Sequence, residues 1–229
     1  MHPLISIVFV VLAVAIPSFF GWQIQRAGTP AFWSLVVIPT ALVAAIGALR
    51  AHRHGELRDW VKPRWGDATV GVLSGVILVA AAYGFTRVVA PVGGAREAWL
   101  ARVYLQIGDL TNLRQHTTWL GAVVITASVA EELVWRGLVT TLLAEQWGSR
   151  RAWIGSAALY AAAHVPAAFA LADGKAGVNL LLPIGALGAG LVWGALVRVK
   201  GGSLVAAMIA HALFDWCLVV MFPLWGTGL

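Results

Sequence analysis

Apolar residues along this chain run in blocks and do not alternate with polar ones at strand spacing. Seven blocks stand out, at about residues 4–20, 30–49, 68–89, 118–143, 152–171, 178–197 and 203–222. Each is close to the roughly 20 residues that a helix needs to cross the hydrocarbon of a bilayer, so each predicts a span. Trp22, Trp33, Trp119, Trp147 and Trp153 fall near block ends, the headgroup level that tryptophan prefers, whereas Trp193 and Trp216 fall deeper. The stretch 96–114 is helix-like but too charged for a clear span, and predicts an interfacial helix or an eighth, partly buried one. The first block has no basic region before it and predicts a retained span, not a cleaved signal. The pattern therefore predicts an all-α, polytopic transmembrane helical bundle of about seven or eight spans. It has no internal repeat or linker and reads as a single membrane domain over 1–229.

Composition agrees with that pattern. Hydrophobic residues make up 60% of the chain and charged residues only 11%, with a mean hydropathy of +0.82. A soluble domain carries roughly 45–50% apolar and about 25% charged residues, so here lipid is the natural solvent. The net charge of +6 does not predict nucleic-acid binding, because the basic residues sit in short loops between apolar blocks. Arg50, Arg53, Arg58, Lys62 and Arg64 follow the second block, Arg150 and Arg151 the fourth, and Arg198 and Lys200 the sixth. Seven spans would put these loops on one side, which the positive-inside rule makes cytoplasmic, with the C-terminus outside. The excess of Arg over Lys, with abundant Ala, Gly and Val, points to a bacterial gene and so to a multi-pass protein of the bacterial inner membrane. The single cysteine, Cys217, lies within an apolar block and cannot form an intrachain disulfide.

Ionisable residues interrupt three of the blocks. The fourth contains Glu131, Glu132 and Arg136. A charge near a span centre costs about 2.5–3.5 kcal/mol on the insertion scale, so the three are expected to face the protein interior and to pair. Glu132 and Arg136 are at i,i+4 on one helix face, while Glu131 lies about 100° around the helix. That spacing leaves one carboxylate satisfied and one available for chemistry. The fifth block has His164 near its middle, Tyr160 one turn earlier, and Pro166, which frees a backbone carbonyl nearby. The seventh has His211 and Asp215, again at i,i+4. A Glu–Arg pair or a lone histidine in a span can be purely structural. Glu, His, His and Asp together at membrane depth are the parts of a water-activating site. His2, His52, His54 and His116 fall in loops or at the terminus and read as solvated. Gly185, Gly188, Gly190 and Gly194 in the sixth block read as a small-residue packing face.

In these residues the sequence resembles the CPBP family of intramembrane proteases, also called the Abi or type II CAAX prenyl endopeptidase-like family. Its three motifs stand here as EELVWR (Glu131, Glu132, Arg136), YAAAH (Tyr160, His164) and HALFD (His211, Asp215), each in a separate block. The resemblance covers 118–222, a CPBP-like catalytic core within the single domain. It implies an intramembrane endopeptidase that hydrolyses a peptide bond of a membrane-tethered protein or peptide. By resemblance, Glu131 is the general base, with His164 holding the attacking water, and His211 and Asp215 stabilise the oxyanion. Glu132 and Arg136 would brace the site, and Tyr160 stands where the family often has Phe. Position 215 is Asp where prenyl-processing members usually have Asn. An ionised Asp cannot donate to an oxyanion, so either it carries a proton or it orients His211 and leaves the donating to that imidazole; the second is the one expected.

The same four residues could in principle ligate zinc as a metalloprotease site, yet no His-Glu-x2-His lies on one helix. The metal-free mechanism, with no cofactor, is the one expected. A proton-coupled transporter or a non-catalytic membrane binding protein would use the same residues differently. Serine chemistry is not favoured, since Ser128 and Ser156 sit in no Gly-x-Ser-x-Gly elbow.

Overall fold

The computed structural model of the protein describes residues 3–109 and 117–225; His2, Arg114 and His116 lie outside them. The elements in chain order are α1 (Pro3–Gly21), a 3-10 turn (Ile24–Arg26), α2 (Pro30–Arg53), α3 (Leu57–Val61), α4 (Asp67–Val89) and α5 (Glu97–Ile107). There follow α6 (Thr117–Glu132), a π turn (Leu133–Val139) leading without a break into α7 (Thr140–Trp147), α8 (Ser149–Ala163), α9 (Val165–Ala170) and α10 (Leu181–Val199). Last come α11 (Val205–Trp216) and a second π turn (Cys217–Met221). Among the described residues there is no named strand.

Four helices, α1, α2, α4 and α10, are individually long and apolar enough to cross a membrane, and Val205–Met221 is a shorter apolar helix. The fourth predicted span is one continuous run through α6, its π turn and α7. The fifth is broken at His164 into α8 and α9. Among the described residues of the charged stretch after α4 there is the 11-residue α5, about 16 Å long and far short of the ~30 Å hydrocarbon core. It packs as a cap whose Trp99, Leu100, Tyr104, Gln106 and Ile107 are buried. Long helices carry their large apolar side chains outward, for example Phe9, Ile46 and Ile77. A soluble fold would bury these; a lipid-facing helix need not.

The three basic loops meet at one end of the bundle. Arg50 pairs with Glu145 at 2.6 Å, Arg198 donates to the Arg150 carbonyl, and Lys200 pairs with the buried Asp67 at 3.2 Å. The opposite end is tied through α5. Gln106 donates to the carbonyls of Gly21 and Gln23, and Tyr104 donates to the Leu218 carbonyl. Asn179 donates to the Trp99 carbonyl. Arg102 pairs with Asp173 there. The backbone N–H groups of Ala176 and Lys175, with Arg102 adding to them, hold the Asp173 carboxyl below its usual range. These ties fasten the loop that follows α9, and so the segment just beyond His164.

Helix α11, which carries the third motif, packs mainly on α4, and two glycines bring them together. A Cβ at Gly71 would lie 2.8 Å from the Ala206 carbonyl oxygen and 2.9 Å from Ile209 Cβ. Backbone cannot retreat from such contacts cheaply. Gly71→Ala is therefore expected to lose about 1–3 kcal/mol by overpacking. Gly84→Ala, with nothing within 4 Å of its new Cβ, should be at least as stable as the parent on helix propensity. Thermal unfolding of the two variants in one detergent separates them; equal midpoints would contradict the packing assignment. The expected small-residue face of α10 is only half used. Gly190 and Gly194 meet neighbours, while Gly185 and Gly188 have none within 4 Å.

Candidate active site

The three motifs converge on one cluster between α6, α8, α10 and α11. Glu131 and Glu132 end the regular part of α6, and Arg136 lies in the π turn that follows. A π turn widens the helix and leaves backbone groups out of the usual ladder. The carbonyl of Trp135 is accordingly taken by two hydroxyls, Thr140 at 2.8 Å and Ser156 at 2.5 Å. Ser156 thus links the first-motif turn to α8, the helix that carries Tyr160.

The paired carboxylates have different surroundings. Glu132 is fully buried, and its Oε1 receives both Arg136 Nη1 at 3.2 Å and His211 Nδ1 at 2.8 Å. The Arg136 guanidinium lies over the rings of Tyr160 (4.7 Å) and Trp193 (5.1 Å), so its charge is met by a carboxylate and two π faces. Glu131, with a side chain 18% exposed, accepts one hydrogen bond, from the Tyr160 hydroxyl at 2.7 Å. Its only basic neighbour within 4 Å is His211 Nε2 at 3.7 Å, among the described residues. Glu132 is the carboxylate that pairs with Arg136, as helix spacing predicts, and Glu131 stands apart from that pair.

His164 sits where the fifth span breaks. Its backbone N–H turns to the Ala161 carbonyl at 3.1 Å, which releases the carbonyl of Tyr160. Its own ring takes that carbonyl: Nδ1 lies 2.8 Å from Tyr160 O. A carbonyl can only accept, so Nδ1 carries the hydrogen and Nε2 of the neutral ring keeps the lone pair. Tyr160 therefore serves both groups, its hydroxyl donating to Glu131 and its carbonyl accepting from His164.

His211 is buried and stacks on Trp193, ring centroids 3.7 Å apart at 18°. Its Nδ1 faces Glu132, and its Nε2 faces Asp215 Oδ2 at 3.3 Å. Asp215 also accepts from the Ser128 hydroxyl at 2.8 Å and is more open than its neighbours, with 32% of its side chain exposed. Among the described residues no three His, Cys, Asp or Glu side chains are grouped to hold a metal ion. His211 is committed on both nitrogens to carboxylates, and His164 is committed on one to a carbonyl. A metal ion on His211 would have to displace a carboxylate, whereas, among the described residues, His164 Nε2 is not engaged.

All seven expected site residues thus come together. Trp193, Ser128 and Ser156 were not expected among them. Their only signals were weak: a tryptophan deep in a block, and serines one turn before Glu132 and Tyr160.

Residues 113–217, a little under half the chain, match the family model described as Type II CAAX prenyl endopeptidase Rce1-like. Over that segment the chain is similar to the family that its three motifs resemble. No curated protein and no solved structure gives a match to the chain.

Proposed function

We propose that this membrane protein is an intramembrane endopeptidase that hydrolyses a peptide bond of a membrane-tethered protein or peptide with water activated by Glu131 and His164. The observation that carries the reading is the double role of Tyr160, which fixes a half-open carboxylate and a histidine lone pair from one residue. A water held between Glu131 and His164 Nε2 would attack the scissile carbonyl carbon and pass its proton to Glu131. The tetrahedral oxyanion would face His211 Nε2 and Asp215. Collapse of the intermediate breaks the C–N bond, and Glu131 returns the proton to the leaving amine. The products are a carboxylic acid and an amine, which ionise to carboxylate and ammonium as they leave, and Glu131 is again ionised.

The family description points to a substrate attached to the membrane. Asp at position 215, where prenyl-processing members usually carry Asn, is the reason to leave the attached lipid unspecified. The metal-free reading is supported by His211, whose two ring nitrogens both face carboxylates. We place the protein, as part of the same proposal, in a bacterial inner membrane with the basic loops inside. The transporter reading gains no support from the helices, since α1, α2 and α4 carry no break to match the one at His164.

The test is cleavage of vesicle-anchored peptides by the purified protein, with and without a chelator. Cleavage is expected to survive chelation and to fall roughly 10²–10⁴-fold in His164→Ala. Loss in chelator with recovery on adding zinc would replace the metal-free mechanism with a metal one.

A further inference from the structure

Gly137 is buried in the π turn, one residue after Arg136, and belongs to none of the three motifs. Glycine inside a helical run weakens it relative to alanine. Its place is explained by Trp60. A Cβ at Gly137 would lie 2.6 Å from Trp60 Cζ3 and 3.0 Å from Cε3 and Cη2. The six-membered ring of the indole is thus pressed on the backbone of the turn, at a point that glycine alone leaves free. Leu133, the first residue of the turn, packs on the apolar cluster that contains Trp60. Trp60 itself comes from α3, in the basic loop between α2 and α4.

The backbone of the same residue holds α11. The Trp60 carbonyl accepts from the N–H of Leu204, the residue before that helix, at 2.8 Å. The two loops are fastened on either side of this bond. The Ser203 hydroxyl donates to the Lys62 carbonyl at 3.0 Å, and Lys200 pairs with Asp67 at 3.2 Å. Trp60 therefore joins the π turn through its ring and α11 through its carbonyl. Those two elements flank a central contact of the cluster. Glu132, just before the turn, faces His211 Nδ1 at 2.8 Å, and His211 lies about two turns into α11. A hydrogen bond tolerates only a narrow range of distance and angle. The relative placement of turn and helix therefore decides whether this bond forms and where His211 Nε2 points.

We propose that Trp60 is a positioning residue that sets the π turn against α11 and so fixes the Glu132–His211 contact from outside the cluster. It acts through those two side chains and touches no reacting atom. Its effect on cleavage rests on the reading of His211 as part of the oxyanion-facing wall. The usual role of a tryptophan near a span end is to anchor in the headgroup layer. Trp65 in the same loop, 98% exposed, suits that role; Trp60 is 7% exposed and has its ring on Gly137.

The experiment uses the full chain in liposomes and two readouts. One is steady-state cleavage of vesicle-anchored peptide; the other is nitrogen NMR of isotope-labelled histidine side chains, with His211 assigned by its loss in His211→Gln. Gly137→Ala is expected to push the ring away, lowering kcat about tenfold with KM changed less than about twofold, and to shift the His211 Nδ1 signal. Trp60→Phe, which lacks the outer ring, should move both readouts in the same sense. In Gly137→Ala/Trp60→Phe the new methyl enters the space that ring vacates, so kcat and the signal should return toward wild type. Such non-additivity marks a direct contact. A ring that only fills the core would lower the unfolding midpoint and leave kcat per folded molecule and the His211 signal unchanged. That result, or losses that simply multiply in the double variant, would overturn the inference. Should Gly137→Ala fail to fold, Trp60→Phe alone decides, by whether it moves the His211 signal. The NMR readout does not depend on cleavage. A signal that shifts and recovers, with no peptide cleaved even by wild type, would leave the positioning role standing and remove the protease reading instead.

Discussion

Glu131→Gln is expected to lower peptide cleavage by roughly 10²–10⁴-fold, the range for a general base, while changing folding stability by less than about 1 kcal/mol. The amide oxygen of Gln can still accept from the Tyr160 hydroxyl, so the site should keep its shape. Nothing else depends strongly on this carboxylate: Arg136 pairs with Glu132, and His211 keeps Glu132 and Asp215 as partners. Activity and stability should therefore separate cleanly. Rate measurements on vesicle-anchored peptide, paired with thermal unfolding of the same preparations, check both halves of the expectation. A variant that cleaved normally would remove Glu131 from the chemistry, whatever its stability.

Its neighbour should behave in the opposite way. Glu132→Ala is expected to cost about 3–5 kcal/mol, the usual penalty for stranding the partner of a buried ion pair. Glu132 Oε1 is the common acceptor for Arg136 and His211, and all three side chains are almost completely buried. Without it the guanidinium keeps only the faces of Tyr160 and Trp193, and His211 Nδ1 loses its partner. Folded yield and unfolding midpoint in detergent would both fall. Replacing Arg136 by Met in the same chain should recover part of the loss, because it removes the stranded guanidinium charge. Equal stability of Glu132→Ala and wild type would mean that the pair does not brace the site. Two adjacent residues of one type would then have lost their division of labour.

That division was legible in the sequence because helical geometry is regular. Position i,i+4 put Glu132 with Arg136, and the 100° offset left Glu131 apart. The same regularity announced the spans, since a run of apolar residues has few alternatives in lipid. What the sequence did not disclose lies where the helices depart from regularity. The π turn after Glu132 frees the Trp135 carbonyl, and so gives Ser156 a structural task that no spacing rule predicts. The break at His164 was hinted at by Pro166, but the sequence could not say that the His164 ring itself would take up the released Tyr160 carbonyl. Trp193 reaches His211 from a helix with no motif, and only packing in three dimensions brings the two rings to 3.7 Å. The charged stretch before α6 left its interfacial and spanning readings open, and the described α5, at 11 residues, is too short to cross by itself. Ser128 looked isolated because its partner Asp215 lies 87 residues away.

The central claim is that Glu131 activates water for peptide-bond hydrolysis within the membrane. Its most direct measurement is a cleavage assay of wild type and Glu131→Gln on a library of vesicle-anchored peptides, with products identified by mass spectrometry. The account predicts defined fragments from the wild type, with one water added across a peptide bond, and none above background from the folded variant. Equal cleavage by both proteins would contradict it.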